Sequence, residues 1–123
     1  MANELLFNVA LTYTKNNVTV AESIDKLQAT VTGNGLNALA AYTATTSSTA
    51  LPLGSVAVAG GWLYVKNTDA TNYVKLQTAA SGTEFSRIFP GEFSLLRLAP
   101  GMTAPAVQAN TASCVLTYCV FDL

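Results

Sequence analysis

The segment of residues 60–101 constrains the fold of this chain more strongly than any other part of the sequence. Runs of aromatic and β-branched residues alternate there with Gly, Pro, Asn and Asp, too closely for a helix of ordinary length to fit between them. The runs cover residues 62–65, 73–76, 85–89 and 93–98. Short strands that recur about every eight to twelve residues between such corners are typical of antiparallel sandwiches and barrels. We therefore predict an all-β fold, an antiparallel β-sandwich that resembles a jelly roll.

The N-terminal residues predict a pair of strands. Apolar side chains alternate with polar or small ones over residues 5–14, which is the pattern of a strand with one buried face. The polar residues 15–17 predict a turn, and a second extended run begins at Val18. Residues 22–28 fit either one or two helical turns or a strand. We favour the strand, because alternation resumes over residues 27–31.

The whole chain, residues 1–123, is interpreted as a single β domain. Residues 1–35 supply the N-terminal strands, which are also compatible with an arm, and residues 36–123 supply the core sandwich. Residues 36–46 are rich in Ala and so are compatible with a helix, but the turn-prone cluster of Thr and Ser at residues 45–49 argues against one, and we favour extended structure. Further extended runs are expected at residues 49–52, 55–59, 105–109 and 113–121. The last of these runs is apolar on both faces, so it predicts either a central strand or a strand whose outer face meets a partner.

The composition predicts self-association. Half of the residues are hydrophobic and only 11% are charged, against about a quarter in an ordinary soluble domain. Low charge combined with a net charge of −1 favours association of a protein with copies of itself or with a larger assembly. We therefore expect an oligomer.

The distribution of charge argues against two classes of partner. The six Lys and Arg residues are scattered along the chain and form no basic run, which is unlike a nucleic-acid-binding surface. No apolar run reaches the length of a membrane-spanning helix. The N-terminus lacks the basic segment of a secretory signal, which favours a cytoplasm, or a particle assembled there, as the location.

The two cysteines are predicted to be ordinary strand residues. Cys114 and Cys119 are five positions apart, so in one regular strand they lie on opposite faces, roughly 16 Å apart. A disulfide needs Cα atoms within about 7 Å. An intrachain disulfide is therefore excluded in such a strand. A zinc site is also disfavoured, because the chain has no His.

The sequence offers little that suits catalysis. The absence of His removes the commonest general base and the usual partner of a Ser or Cys nucleophile. The seven carboxylates form no tight cluster in sequence. Glu84 and Glu92 are a remote candidate for a glycosidase pair, although two exposed charges beside turns are the simpler interpretation. We expect no catalytic residue, cofactor or metal ligand.

Two groups of residues remain candidates for binding. Trp62 and Tyr64 share one face of a strand and have the aromatic rings of a sugar-binding platform, but we favour a core position for Trp62. Asn67, Asp69 and Asn72 carry oxygens that suit Ca²⁺. A turn built from Asn and Asp because they tolerate tight conformations is the interpretation we favour.

Four short motifs lie in about half of the chain, from Gly61 onward. The first is the strand and turn GWLYVKNTDATNYV at residues 61–74. It is followed by PGE at residues 90–92, LRLAPG at residues 96–101 and ANTA at residues 109–112. In these motifs the chain resembles a family of small virion proteins of tailed bacteriophages.

The resemblance implies a capsid decoration (cement) protein. Such proteins are β-sandwiches that bind the outside of the phage head, often as trimers, and reinforce contacts between copies of the major capsid protein. The expected location is the capsid surface of a virion assembled in the host cytoplasm, and the expected partners are further copies and the major capsid protein. The N-terminal strands are our candidates for partner contact, through edge pairing that needs no charge. The candidate residues are Leu5, Phe7, Val9, Leu11, Tyr13, Val18 and Val20.

Three alternatives stay open. A tail-tube or tail-fibre component would use the same small β-module in a ring or trimer. A carbohydrate-binding module would use Trp62 and Tyr64. A small enzyme is the weakest alternative, because the chain lacks an evident base.

Overall fold

Ten β-strands and no helix make up the described part of the chain. The structure, a computed structural model, describes residues 5–29, 39–54 and 61–121. No helix in these ranges has the length and hydropathy required to cross a membrane. The strands are β1 (Leu5–Lys15), β2 (Val18–Ala29), β3 (Ala40–Ala44), β4 (Thr49–Ala50), β5 (Trp62–Asn67), β6 (Val74–Gln77), β7 (Glu84–Ile88), β8 (Phe93–Arg97), β9 (Ala106–Ala109) and β10 (Cys114–Phe121).

The chain divides into two compact units, Met1–Val31 and Thr32–Leu123. The first unit contains the two-stranded sheet of β1 and β2, and the second contains two four-stranded sheets. Nearly every predicted strand has a counterpart, including the extended structure favoured for residues 22–28. The strand predicted at residues 55–59 and the first part of the run predicted at residues 36–46 lie outside the described residues.

The second unit has the strand order of a jelly roll. One sheet has the order β3-β10-β5-β8 and the other the order β4-β9-β6-β7. The pairs β3–β10, β4–β9, β5–β8 and β6–β7 are all antiparallel and are nested within one another along the chain. Two packed sheets formed in this way are the arrangement of an eight-stranded jelly roll. The predicted all-β, antiparallel sandwich is confirmed.

The core lies between these two sheets. In β5 the residues Leu63 and Val65 are fully buried and alternate with more exposed neighbours, as expected when one face of a strand meets the opposite sheet. The strand β10 lies between β3 and β5, which agrees with the first of the two alternatives expected for the last run. The buried cluster contains Ala44, Leu51, Leu63, Val65, Val74, Leu76, Ile88, Leu98, Val107, Ala109, Cys114, Leu116, Tyr118 and Val120.

The first unit is a long hairpin closed by a two-residue turn. Lys15 pairs with Val18, and between them Asn16 and Asn17 have φ values of 52° and 64°. Two successive residues with positive φ define a type I′ turn, whose twist matches that of the flanking strands. Asn tolerates this conformation better than most residues with a side chain. The polar turn predicted at residues 15–17 is therefore confirmed.

The corner between β7 and β8 is a type II turn. The amide of Glu92 donates to the carbonyl oxygen of Phe89 over 3.0 Å, which encloses Pro90 and Gly91. Gly91 has a φ of 81°, and the third position of a type II turn requires a positive φ. Pro at the second position supplies the φ that this turn needs there.

Replacing Gly91 with Ala should therefore lower the free energy of unfolding by about 1–2 kcal/mol, the cost of a Cβ in the left-handed region. Gly101→Ala is the matched control, because both sites have open space for a Cβ but only Gly91 has a positive φ. Urea denaturation of the two variants measures the difference. Equal stability of Gly91→Ala and Gly101→Ala would contradict this account of the turn.

Candidate functional site

One face of the β1–β2 hairpin is mostly apolar. Residues that face each other across an antiparallel pair project from the same side of the sheet. The pairs Phe7–Leu27, Val9–Ile24 and Tyr13–Val20 lie on this side. The apolar members of this surface, the hairpin face, are Leu5, Phe7, Val9, Leu11, Tyr13, Val18, Val20, Ile24 and Leu27.

Most of the hairpin face is exposed. Leu5 and Phe7 are buried, whereas the other seven side chains are between 39% and 60% exposed. The seven residues predicted for partner contact all belong to this face, and five of them are exposed. The opposite side of the hairpin is more polar and includes the hydroxyls of Thr14 and Thr19, which are 3.4 Å apart. A surface of this kind is suited to the burial of apolar area.

A β-bulge keeps the apolar residues of β2 on one side. The register shifts between Phe7 and Val9, so that two residues of β2 lie opposite the single residue Asn8. Lys26 has a φ of 58°, and its amide donates to Oδ1 of Asn8 over 3.0 Å. The extra residue places Ile24 and Leu27 on the same face, although they are three positions apart in sequence.

Sequence reasoning therefore missed Ile24 and Leu27 as members of the candidate surface. A spacing of three breaks the strict alternation by which a strand face is recognised. One signal for the bulge was available in the sequence. Asn8 readily accepts a hydrogen bond from a backbone amide, and the residues of β2 opposite it depart from regular alternation. Nothing in the sequence alone fixed the register that brings them together.

Aromatic side chains also cover the outer face of one sheet in the second unit. Trp62 and Tyr64 alternate with the buried Leu63 and Val65, so they project away from the core. The ring of Tyr64 lies 6.2 Å from that of Phe93 on the neighbouring strand. The expectation that Trp62 is a core residue is wrong: it is partly buried and lies on the face opposite the core cluster.

Asn67 is a fully buried polar residue that joins four parts of the second unit. Its Nδ2 donates to the carbonyl oxygens of Asn72, at 2.8 Å, and of Ile88, at 2.9 Å. Its Oδ1 accepts from the amide of Asp69, at 2.9 Å, and from the thiol of Cys114, at 3.2 Å. Both ends of the amide therefore have two partners, which is the full capacity of this side chain.

Asp69 shapes the turn that follows. Its Oδ2 accepts from the amides of Thr71, at 2.9 Å, and of Asn72, at 2.7 Å. These two hydrogen bonds favour the charged carboxylate and lower the pKa of Asp69 below its usual value. The three residues considered for Ca²⁺ thus come together, but their contacts are those of a tight turn. Among the described residues, no group of three or more His, Cys, Asp or Glu is placed to hold a metal ion.

The two carboxylates considered as a glycosidase pair have separate structural contacts. Glu84 forms an ion pair with Arg87, and this guanidinium lowers the pKa of Glu84. Arg87 also lies over the ring of Tyr73, 5.1 Å from its centre. Glu92 accepts a hydrogen bond from the amide of Phe89 at 3.0 Å and so supports the turn after β7.

The cysteines lie on opposite faces of β10, as predicted, and both are buried and free. Cys114 belongs to the core, whereas Cys119 pairs across the sheet with Tyr64, on the outer face. Burial raises the pKa of both thiols. Each is therefore a thiol at neutral pH, and a thiol is a poor nucleophile.

Asn67→Ala should lower the free energy of unfolding by about 2–4 kcal/mol, because buried carbonyl oxygens and donors lose their partners. Chemical denaturation measures the loss. Lys66→Ala is the control on the same strand; its side chain is exposed, so the effect should stay within about 0.5 kcal/mol. A small effect of Asn67→Ala would show that the buried network contributes little.

Asp69→Asn should remove a pH-dependent part of the stability. The pKa of Asp69 is lower in the folded protein, so its carboxylate stabilises the fold fully above the unfolded value of about 3.9. That contribution disappears as pH falls through the folded pKa. The stability difference between the native chain and Asp69→Asn, measured by urea denaturation, should shrink from neutral pH to acid pH. A difference that does not vary with pH would contradict the prediction.

No family model, curated protein or solved structure matches this chain. What is inferred about its function therefore rests on its own residues and on its fold.

Proposed function

We propose that this chain is a non-enzymatic structural protein of a tailed-phage virion, specifically a capsid decoration (cement) protein that oligomerises on the head and stabilises it. The observation that carries the proposal is the hairpin face, with seven exposed apolar side chains on one side of two paired strands. The motifs of residues 61–112 point to the virion, and the hairpin face points to assembly.

The hairpin face is larger than a monomer needs to expose. Seven side chains that are each about half exposed present apolar area on the order of 500 Å², the size at which an exposed patch on a soluble protein usually marks an interaction site. Single apolar residues on a surface need no explanation, but contiguous rows on two strands do. Burial of this face against partners is the favourable free energy that assembly would use.

The second unit suits a rigid building block. Jelly rolls of eight strands are found in viral capsid domains and in lectins, although a shared fold does not by itself fix function. The buried contacts of Asn67 fix the turn after β5 against β7 and β10. On a symmetric shell, many copies of such a block add weak contacts into strong attachment through multivalency.

The polar side chains of the candidate sites support a structural role over a catalytic one. Asp69, Glu84 and Glu92 each hold a turn or an ion pair. The thiols of Cys114 and Cys119 have raised pKa values. A group that already has a fixed structural partner is poorly suited to exchange protons with a substrate.

A carbohydrate-binding module is the second candidate, favoured by one specific observation. Trp62 and Tyr64 project from the same outer face of β5, as a stacking platform requires. The indole nitrogen of Trp62 is buried, however, which leaves less of this ring edge for a ligand.

Purified chain should bind to emptied heads of the phage that encodes it and should raise their melting temperature by several degrees. Head particles prepared without the chain are mixed with it, separated by sedimentation, and heated with light scattering as the readout. Binding should saturate at a fixed ratio of chain to capsid subunit. A chain that stays in the supernatant and leaves the melting temperature unchanged would overturn the proposal.

Trp62→Ala separates the two candidates. A decoration protein should keep its affinity for heads after this substitution, whereas a lectin should lose glycan binding. Recovery of the chain from purified tails, and not from heads, would instead support the tail-component alternative.

A further inference from the structure

The hairpin face lacks a strand layer of its own within the first unit. β1 and β2 pair only with each other among the described strands, and each is eleven or twelve residues long. An isolated two-stranded hairpin is at best marginally stable in water. A hairpin this long, with one apolar side, therefore gains most from a second layer packed on that side.

The hairpin face is self-complementary in charge. Its two charged members are Lys15 and Glu22, which pair across the hairpin with Val18 and Leu11. The face thus carries one positive and one negative side chain and has no net charge. Two copies of such a face meet without net repulsion, whereas a strongly charged partner surface would find no complement there.

The size of the hairpin face also suits a second copy. Its exposed apolar area, on the order of 500 Å², together with a polar rim approaches the roughly 800 Å² per partner of a standard interface. Interfaces between identical chains are also the more apolar class. The chain as a whole has few charges and a net charge of −1, so repulsion between copies is weak.

We propose that the hairpin face packs against the hairpin face of a second copy of this chain, which forms a four-stranded, two-layered interface. Leu11 and Tyr13 of β1 and Val20 of β2 lie at its centre. The interface is isologous: the same residues bury each other in both copies. This inference concerns the purified chain alone and does not depend on a role in a virion.

Leu11→Lys and Leu6→Lys form a matched pair that tests the proposal. Both leucines are in β1 and are similarly exposed, at 60% and 50%, but they project from opposite sides. The full chain and both variants are examined by analytical ultracentrifugation over a wide range of concentration. We expect the native chain and Leu6→Lys to associate, and Leu11→Lys to have a dissociation constant raised roughly thirtyfold or more.

A second variant guards against a change that merely unfolds the hairpin. Val20→Thr keeps β-branching and strand propensity but places a hydroxyl in the interface. Its association should weaken while the cross-strand amides of β1 and β2 remain slow to exchange. Hydrogen exchange on each variant distinguishes a lost interface from a lost hairpin.

Four results would overturn the proposal. The first is a native chain that is monomeric at every concentration, and the second is association of Leu11→Lys and Val20→Thr as tight as that of the native chain, with the hairpin intact. The third is a dissociation constant raised by Leu6→Lys as much as by Leu11→Lys. The fourth is a hairpin face whose substitutions weaken only the binding to heads. The equal effect would indicate pairing through strand edges instead of the face. The last result would mean that the hairpin face binds the capsid, and it would leave the proposed function standing. If instead the chain associates with itself but does not bind heads, only the proposed function is overturned.

Discussion

The nested antiparallel pairing of eight strands is the constraint on which the second unit depends. Each pair, from β3–β10 on the outside to β6–β7 on the inside, fixes which side chains face the opposite sheet. Since the side-chain period of a strand is two, a slip of one residue in any pair would turn a buried row towards water. The fully buried Leu63 and Leu116 on one sheet, and Leu76 and Val107 on the other, hold that register.

Apolar burial alone does not distinguish one register from another as sharply as Asn67 does. All four hydrogen bonds of its side chain are made inside the protein, and a shifted β5 would leave them unmade at a cost that hydrophobic contacts cannot replace. The turn shaped by Asp69 and the corner at Gly91 both adjoin this residue, because the amide of Gly91 donates to the carbonyl oxygen of Asn67. The specificity of the fold is thus concentrated near one buried amide.

The sequence predicted the strands far better than their side-chain environments. Turn residues such as Pro90 and Gly91 act locally, so β7 and β8 could be located from the local sequence alone. Trp62 was misplaced because size and hydrophobicity say nothing about which face of a strand is inside; cross-strand register decides that, and it depends on distant residues. Two of the four partners of Asn67, Ile88 and Cys114, are 21 and 47 residues away in sequence, beyond the reach of any local pattern. In the hairpin, the alternation of apolar residues identified the members of the face on β1, but it did not identify Ile24 and Leu27 on β2.

The bulge opposite Asn8 has a consequence for how this surface tolerates change. Ile24 and Leu27 are three positions apart, so in a regular strand they would project from opposite faces. The bulge, with Lys26 in the left-handed conformation, places them on the same face. Deletion of one residue between Ile24 and Leu27 would leave them two positions apart, on one face of a regular strand that needs no bulge. A strand that kept its length but lost the bulge would instead divide its apolar residues between two sides. The extra residue and the left-handed conformation at Lys26 therefore belong together: the surface persists when both are present or both are absent, and is lost when only one of them changes.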